Sequence, residues 1–160
     1  MPSLLPVFQA MEGSVLANYI QSSIWAAVGV QVIHITAVAL FVGAILVVDL
    51  RLLGHGLTKI PVSYLARETQ PYLVWSFAVL FVTGVPQMVA LAVKYYYSSF
   101  FWWKLEAMVF AVVLTYWTRR KIASTDDVVM GTFWPRVAAI ASLGLWTSVI
   151  IAGRLNGLFS

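Results

Sequence analysis

The sequence predicts an all-α integral membrane protein: a four-helix bundle with an N-terminal amphipathic interfacial helix. Three observations carry this expectation. Of 160 residues, 61% are hydrophobic and only 10% charged, where a soluble domain carries about 25% charged residues; a mean hydropathy of +0.88 calls for lipid as the solvent. Apolar runs close to the roughly 20 residues needed to cross about 30 Å of hydrocarbon recur along the chain. Basic and aromatic residues gather at the ends of those runs, as they do at the two faces of a bilayer. The net charge of +4 is spread between apolar runs and forms no basic stripe, so the expected partner is the lipid bilayer and not nucleic acid. The chain has no cysteine. That excludes disulfides, iron–sulfur ligation, a thiolate nucleophile and haem attached through C-x-x-C-H.

The first twenty-two residues, "MPSLLPVFQAMEGSVLANYIQS", place Leu4, Leu5, Val7, Phe8, Met11, Val15, Leu16 and Ile20 at roughly helical spacing among polar residues, the pattern of a helix lying in the interface. No Lys or Arg precedes Arg51 and no small-residue cleavage site follows a short apolar core, so this segment does not read as a signal peptide and the first span is retained. Spans are expected at residues 23–48, 72–93, 101–118 and 137–153, within one transmembrane domain over 1–160. The third is short, but "YYYSSFFWWK" before it and "YWTRRK" after it supply aromatic and basic anchors. Pro61 and Pro71 bracket a polar stretch expected to form a separate surface helix from about Ser63, and Pro86 in "TGVPQ" is expected to kink the second span. The connections after spans one and three hold Arg51, Lys59, Arg67, Arg119, Arg120, Lys121 and Arg136; the opposite side holds Lys94, Lys104 and Arg154. Seven against three by the positive-inside rule places both termini in the periplasm of a bacterial inner membrane.

Within "VIHITAVALFVGAILVVDLRLLGHG" lie the only two histidines of the chain. His34 falls about 16 Å along its helix from Ser23, near the bilayer centre, where an ionisable side chain is costly and faces the bundle interior. Two readings stand. His34 is either a neutral hydrogen-bonding partner of Thr83 or Gln87 in span two, or the axial ligand of a b-type haem or a metal ion. For haem, Lys104 and Arg154 are placed to meet propionates, Gly29, Gly43 and Gly84 offer close approach, and Trp146, with Trp25, Trp102 and Trp103, supplies aromatic walls. For copper, Met88 and Met108 are the candidate ligands beside His34. His55 lies about 31 Å further along, so both histidines cannot hold one haem; it is expected at the interface, or at a second site of its own. Asp49 is expected to pair with Arg119 or Arg120, tying spans one and three, while Glu106 is expected at the interface beside Lys94 or Arg154. The catalytic signatures H-E-x-x-H and G-x-S-x-G, the P-loop and the Rossmann glycine pattern are all missing.

The stretch "IHITAVALFVGAILVVDLRLLGHG" resembles the first span of the HemJ-type protoporphyrinogen oxidases, and "FFWWKLEAMVF" resembles their later lysine-bearing span. The resemblance implies a small helical bundle binding b-type haem, with His34 linked to the haem and Lys104 functional. Ser23 with Trp25, His34 with Ile35, "DLRLLG" from Asp49 to Gly54, Lys104, and "AGR" from Ala152 to Arg154 resemble more closely an uncharacterised bacterial four-span membrane family. The copper-resistance D-type membrane proteins are a further similar group. The functional expectation is an inner-membrane b-type haem protein that passes electrons to or from quinone, a membrane or periplasmic redox partner, or within a homo-oligomer. The alternatives are a cofactor-free structural subunit of a larger membrane complex and a copper-handling membrane protein.

Overall fold

The computed structural model describes residues 4–124 and 133–159, with side chains as far as 123 and from 133 to 155. The described chain is helical: α1 (Leu5–Glu12), α2 (Val15–Ser22), α3 (Ile24–Leu52), α4 (Val62–Ala90), α5 (Ala92–Tyr97), α6 (Ser99–Ser124) and α7 (Phe133–Phe159). Four of these, α3, α4, α6 and α7, are long and apolar enough to cross a membrane.

α3 starts where the Ser23 hydroxyl accepts the Ala26 N–H at 3.3 Å, satisfying one orphan donor of the first turn. It stops at Gly54, whose φ of +81° is left-handed backbone that glycine adopts without strain. There the Gly54 N–H bonds the Arg51 carbonyl and the His55 N–H reaches back to Leu50, closing the last turn. The buried side of α3 repeats at Ala37, Phe41, Ala44, Ile45, Val48, Asp49 and Leu52, and His34 sits one heptad before Phe41 on that side. Val28, Val32, Ile33 and Leu40 are exposed, and an outward face this apolar is suited to lipid.

The expected separate helix before span two does not form. α4 runs unbroken from Val62 and contains both Pro71 and Pro86. A proline deletes one ladder bond and presses on the preceding turn; at Pro71 the bond lost is the one to the Arg67 carbonyl, and on the neighbouring carbonyl, that of Ala66, Arg119 donates at 2.8 Å, tying α6 to this turn of α4. Near Pro86 the Gln87 side-chain amide donates to the Thr83 carbonyl at 3.1 Å. The N-terminal segment is also two helices and not one, divided at Gly13 and Ser14, with the Ser14 hydroxyl capping α2 through the Ala17 N–H; Met1 to Ser3 lie outside the described residues.

α3 and α4 form one antiparallel hairpin, and α6 and α7 run antiparallel beside them. Three apolar layers join them. At the end carrying the basic connections, Val48, Leu52, Val62, Leu65, Ile122 and Ala139 pack together. In the middle, Phe41, Ile45, Ala111, Trp146 and Val149 do so, with the Phe41 and Trp146 rings edge-on at 4.6 Å. At the end carrying the chain termini, Phe8 of α1 packs with Ala92 and Phe101, and Tyr95 stacks on Phe101 at 5.3 Å. Burial there pushes ionisation of the Tyr95 hydroxyl above its ordinary value. The α4–α5 junction is closed by the N-terminal helices: Gln21 donates to the Ala90 carbonyl at 2.7 Å and Glu12 accepts the Val93 N–H at 2.6 Å.

Candidate functional site

Polar side chains meet inside the bundle at two levels, one on each side of the Phe41–Trp146 layer. In the half nearer the termini, His34 Nδ1 lies 2.8 Å from Thr83 Oγ1. The direction of that bond follows from the threonine. Its single hydroxyl hydrogen is directed at the Val79 carbonyl, 2.6 Å away, so toward the imidazole it accepts, and Nδ1 is the protonated nitrogen. Nε2 is left with the lone pair. Gly84, the next residue of α4, has no side chain between helix and ring; a Cβ there would stand 3.4 Å from His34 Cε1. Lys104 of α6 is close enough to act electrostatically on His34. Its aliphatic stem lies along α7 at Gly153, where an added Cβ would stand 3.6 Å from Nζ. α3, α4 and α6 therefore meet around His34, and α7 backs Lys104 at Gly153.

Other residues singled out from the sequence lie elsewhere. Arg154 follows Gly153 but is exposed. Trp146 is buried in the middle layer, its indole N–H on Thr115 Oγ1 at 3.0 Å, and Trp25 is 83% exposed. Met88 packs in the layer at the terminal end, and Met108 in the middle layer. Of the three glycines singled out for close approach, Gly29 and Gly43 on the helix of His34 and Gly84 on span two, only Gly84 lies against the imidazole. At 100° per residue Gly43 points about 180° away from His34 on the same helix, and an added Cβ at Gly29 or Gly43 meets nothing within 4 Å. His55 is exposed beyond the end of α3. Glu106 is exposed on α6 while Lys104, two residues earlier, turns inward.

The second level lies toward the basic connections. Asp49 is 4% exposed; the Ser142 hydroxyl bonds its carboxylate, and the other oxygen, Oδ2, has no hydrogen-bond partner in the protein. The expected approach of Arg119 to Asp49 is present as an electrostatic interaction. The guanidinium hydrogen bonds, however, go elsewhere: to the Ala66 carbonyl, Thr69 and Gln70 from Nη1, and to the Ala44 carbonyl at 3.0 Å from Nη2. Arg120 turns outward to the Tyr116 hydroxyl. Sequence reading missed Ser142, Thr118, Glu12 and Gln21. Serine and threonine in a spanning helix usually return their hydroxyl to the preceding turn, as Thr36, Thr69 and Thr115 do here, so their presence alone marks no site.

The residues brought together are thus an imidazole with a lone pair on Nε2 and, near it, an ammonium, each packed against a glycine; in chemical type they are a nitrogen donor and a partner for an acidic group. Among the described residues no three His, Asp or Glu side chains converge as metal ligands. Fold and site thus define a multi-pass, all-α membrane protein with an internal histidine–lysine site. Over residues 7–160 the chain matches a family of unknown function (DUF6644), and it belongs to that family. No curated protein and no solved structure matches it, and no similarity to the HemJ-type or copper-resistance D-type proteins is shown.

Proposed function

We propose that the protein is a b-type haem protein of the bacterial inner membrane that passes electrons, with His34 as axial ligand. The observation carrying this reading is the His34–Thr83 bond. A ligating histidine normally donates its other ring N–H to a fixed acceptor, which sets the tautomer and orientation, and Thr83, itself donating to Val79, is such an acceptor. Lys104 would meet a propionate, while Gly84 and Gly153 let helix backbone close directly on His34 and on Lys104. Bound there, haem would supply one-electron exchange. The excess of basic residues on the α3–α4 and α6–α7 side supports periplasmic termini. His34 and Lys104 then lie in the periplasmic half, toward a quinone in the outer leaflet or a periplasmic redox partner.

The test is the reduced-minus-oxidised visible spectrum of the full chain, purified in detergent after expression with ample haem. A Soret and an α band are expected, both lost in His34→Ala and retained in His55→Ala. Wild-type protein without a Soret band overturns the proposal. The same bond also favours a second reading, a cofactor-free subunit of a larger complex in which His34 and Thr83 only tie α3 to α4. That reading predicts colourless protein and loss of complex assembly in His34→Ala. Copper handling through His34, Met88 and Met108 is the remaining alternative, distinguished by metal analysis of the purified protein.

A further inference from the structure

The polar level at the basic end is not used by the proposed haem site. Asp49 from α3, Thr118 and Arg119 from α6, and Ser142 from α7 line a cavity there, floored by Ile45 and Val48. Asp49 and Thr118 are each 4% exposed, and each presents one oxygen, Asp49 Oδ2 and Thr118 Oγ1, with no protein partner. The volume open to the centre of a water-sized sphere is about 10 Å³, room for about one such molecule. An unpaired carboxylate oxygen and an unpaired hydroxyl facing the same small space are costly unless something bonds both.

The walls select the occupant. A cation would be held by Asp49, Thr118 and Ser142 but repelled by Arg119, whose guanidinium lines the same cavity. An anion would face Asp49 Oδ2 directly. A neutral molecule of this size that both donates and accepts meets each wall: it donates to the carboxylate, exchanges a hydrogen bond with Thr118, and keeps further capacity for Ser142 or Arg119. We infer that this cavity is a binding site for a single water molecule bridging Asp49 Oδ2 to Thr118 Oγ1, so that the buried carboxylate on α3 is tied to α6 through solvent inside the bundle. The bridge also explains why Arg119 and Asp49 need no direct ion pair. Arg119 remains on the Ala44 and Ala66 carbonyls, holding α6 to α3 and α4, while the water meets the remaining need of the aspartate.

A crystal structure of the full chain grown from a lipidic mesophase, at a resolution that shows ordered water, tests this directly. One peak within hydrogen-bond reach of both oxygens is expected. A direct Asp49–Arg119 pair with no peak between, or a peak that gains anomalous signal in rubidium or thallium salts, overturns the inference. Radiolytic hydroxyl labelling in solution gives an independent readout, because bound water generates radicals beside its neighbours. Oxidation of Val48 is expected several-fold above that of Val149 in the middle layer, retained in Thr118→Ser and lost in Thr118→Val. Equal oxidation at the two levels in wild-type protein overturns the site without reference to any cofactor.

Discussion

At the scale of single residues, Thr83 decides what His34 can do. Its hydroxyl sits between the Val79 carbonyl and the imidazole, so it fixes the tautomer and the direction of Nε2 together. Replacing it by valine keeps the shape but removes the acceptor, leaving a partly buried N–H unpaired at a cost of about 1–3 kcal/mol. Thr83→Val is expected to lower the melting temperature in detergent and, in the haem-bound protein, to shift the midpoint potential; Thr83→Ser is expected to restore both. Gly84 tests the fit of the ring itself. An alanine Cβ would reach van der Waals distance of His34 Cε1 while gaining up to about 1 kcal/mol in helix propensity, so Gly84→Ala is expected to melt no lower than wild type. Gly84→Leu drives atoms into the imidazole and is expected to abolish the Soret band. His34 was legible in the sequence because an ionisable residue in an apolar run is conspicuous, and Thr83 was legible as one of two candidates. The choice between Thr83 and Gln87 was not, since it depends on Gln87 turning back to the Thr83 carbonyl beside Pro86.

At the scale of helices, Arg119 shows how a charge in a spanning segment is accommodated. One side chain joins three helices, with four hydrogen bonds from α6 to the backbone of α3 and to the backbone and side chains of α4. Arg119→Ala removes these and leaves the buried Asp49 charge without its counter-charge, a loss of about 3–5 kcal/mol by analogy with broken buried pairs; denaturant titration in mixed micelles is expected to show it. Arg119→Lys keeps the charge but not the planar fork, and its loss is expected to be intermediate. The double variant Asp49→Asn with Arg119→Ala is expected to recover part of the stability lost in Arg119→Ala. The expectation that Asp49 and Arg119 lie together came from their places at the facing ends of two spans. The carbonyl partners were hidden, because they depend on where the backbones of α3 and α4 pass the Arg119 fork, at Ala44 and Ala66. Pro71 misled the element reading. Pro61 and Pro71 resemble brackets around a separate helix, yet Pro71 removes only one ladder bond and α4 runs on through it to Ala90.

At the scale of the whole molecule, the bundle separates two polar levels by an aromatic layer. His34 and Asp49 are fifteen residues apart on α3, about 22 Å along the axis and about 60° around it, so one helix face serves both. Phe41 lies between them with its ring edge-on to Trp146, so an aromatic pair separates the two levels in the described core. The number of spans was readable from hydropathy alone, because lipid imposes length and apolarity on each segment; the limits were not, since the second helix begins at Val62 and not at Tyr72. The division into levels was not, because it arises from which faces of four helices meet. Orientation decides the consequence: with the termini in the periplasm, electrons at His34 would be exchanged on the outer side and the Asp49 level would face the cytoplasm. The cysteine-free chain gives no labelling background, so single cysteines at the exposed positions Lys59 and Lys94 report the sidedness of each end. A membrane-impermeant maleimide applied to intact spheroplasts is expected to label Lys94→Cys at once and Lys59→Cys only after lysis. The reverse pattern would place His34 and Lys104 in the cytoplasmic half, and the electron partner would have to be sought on that side.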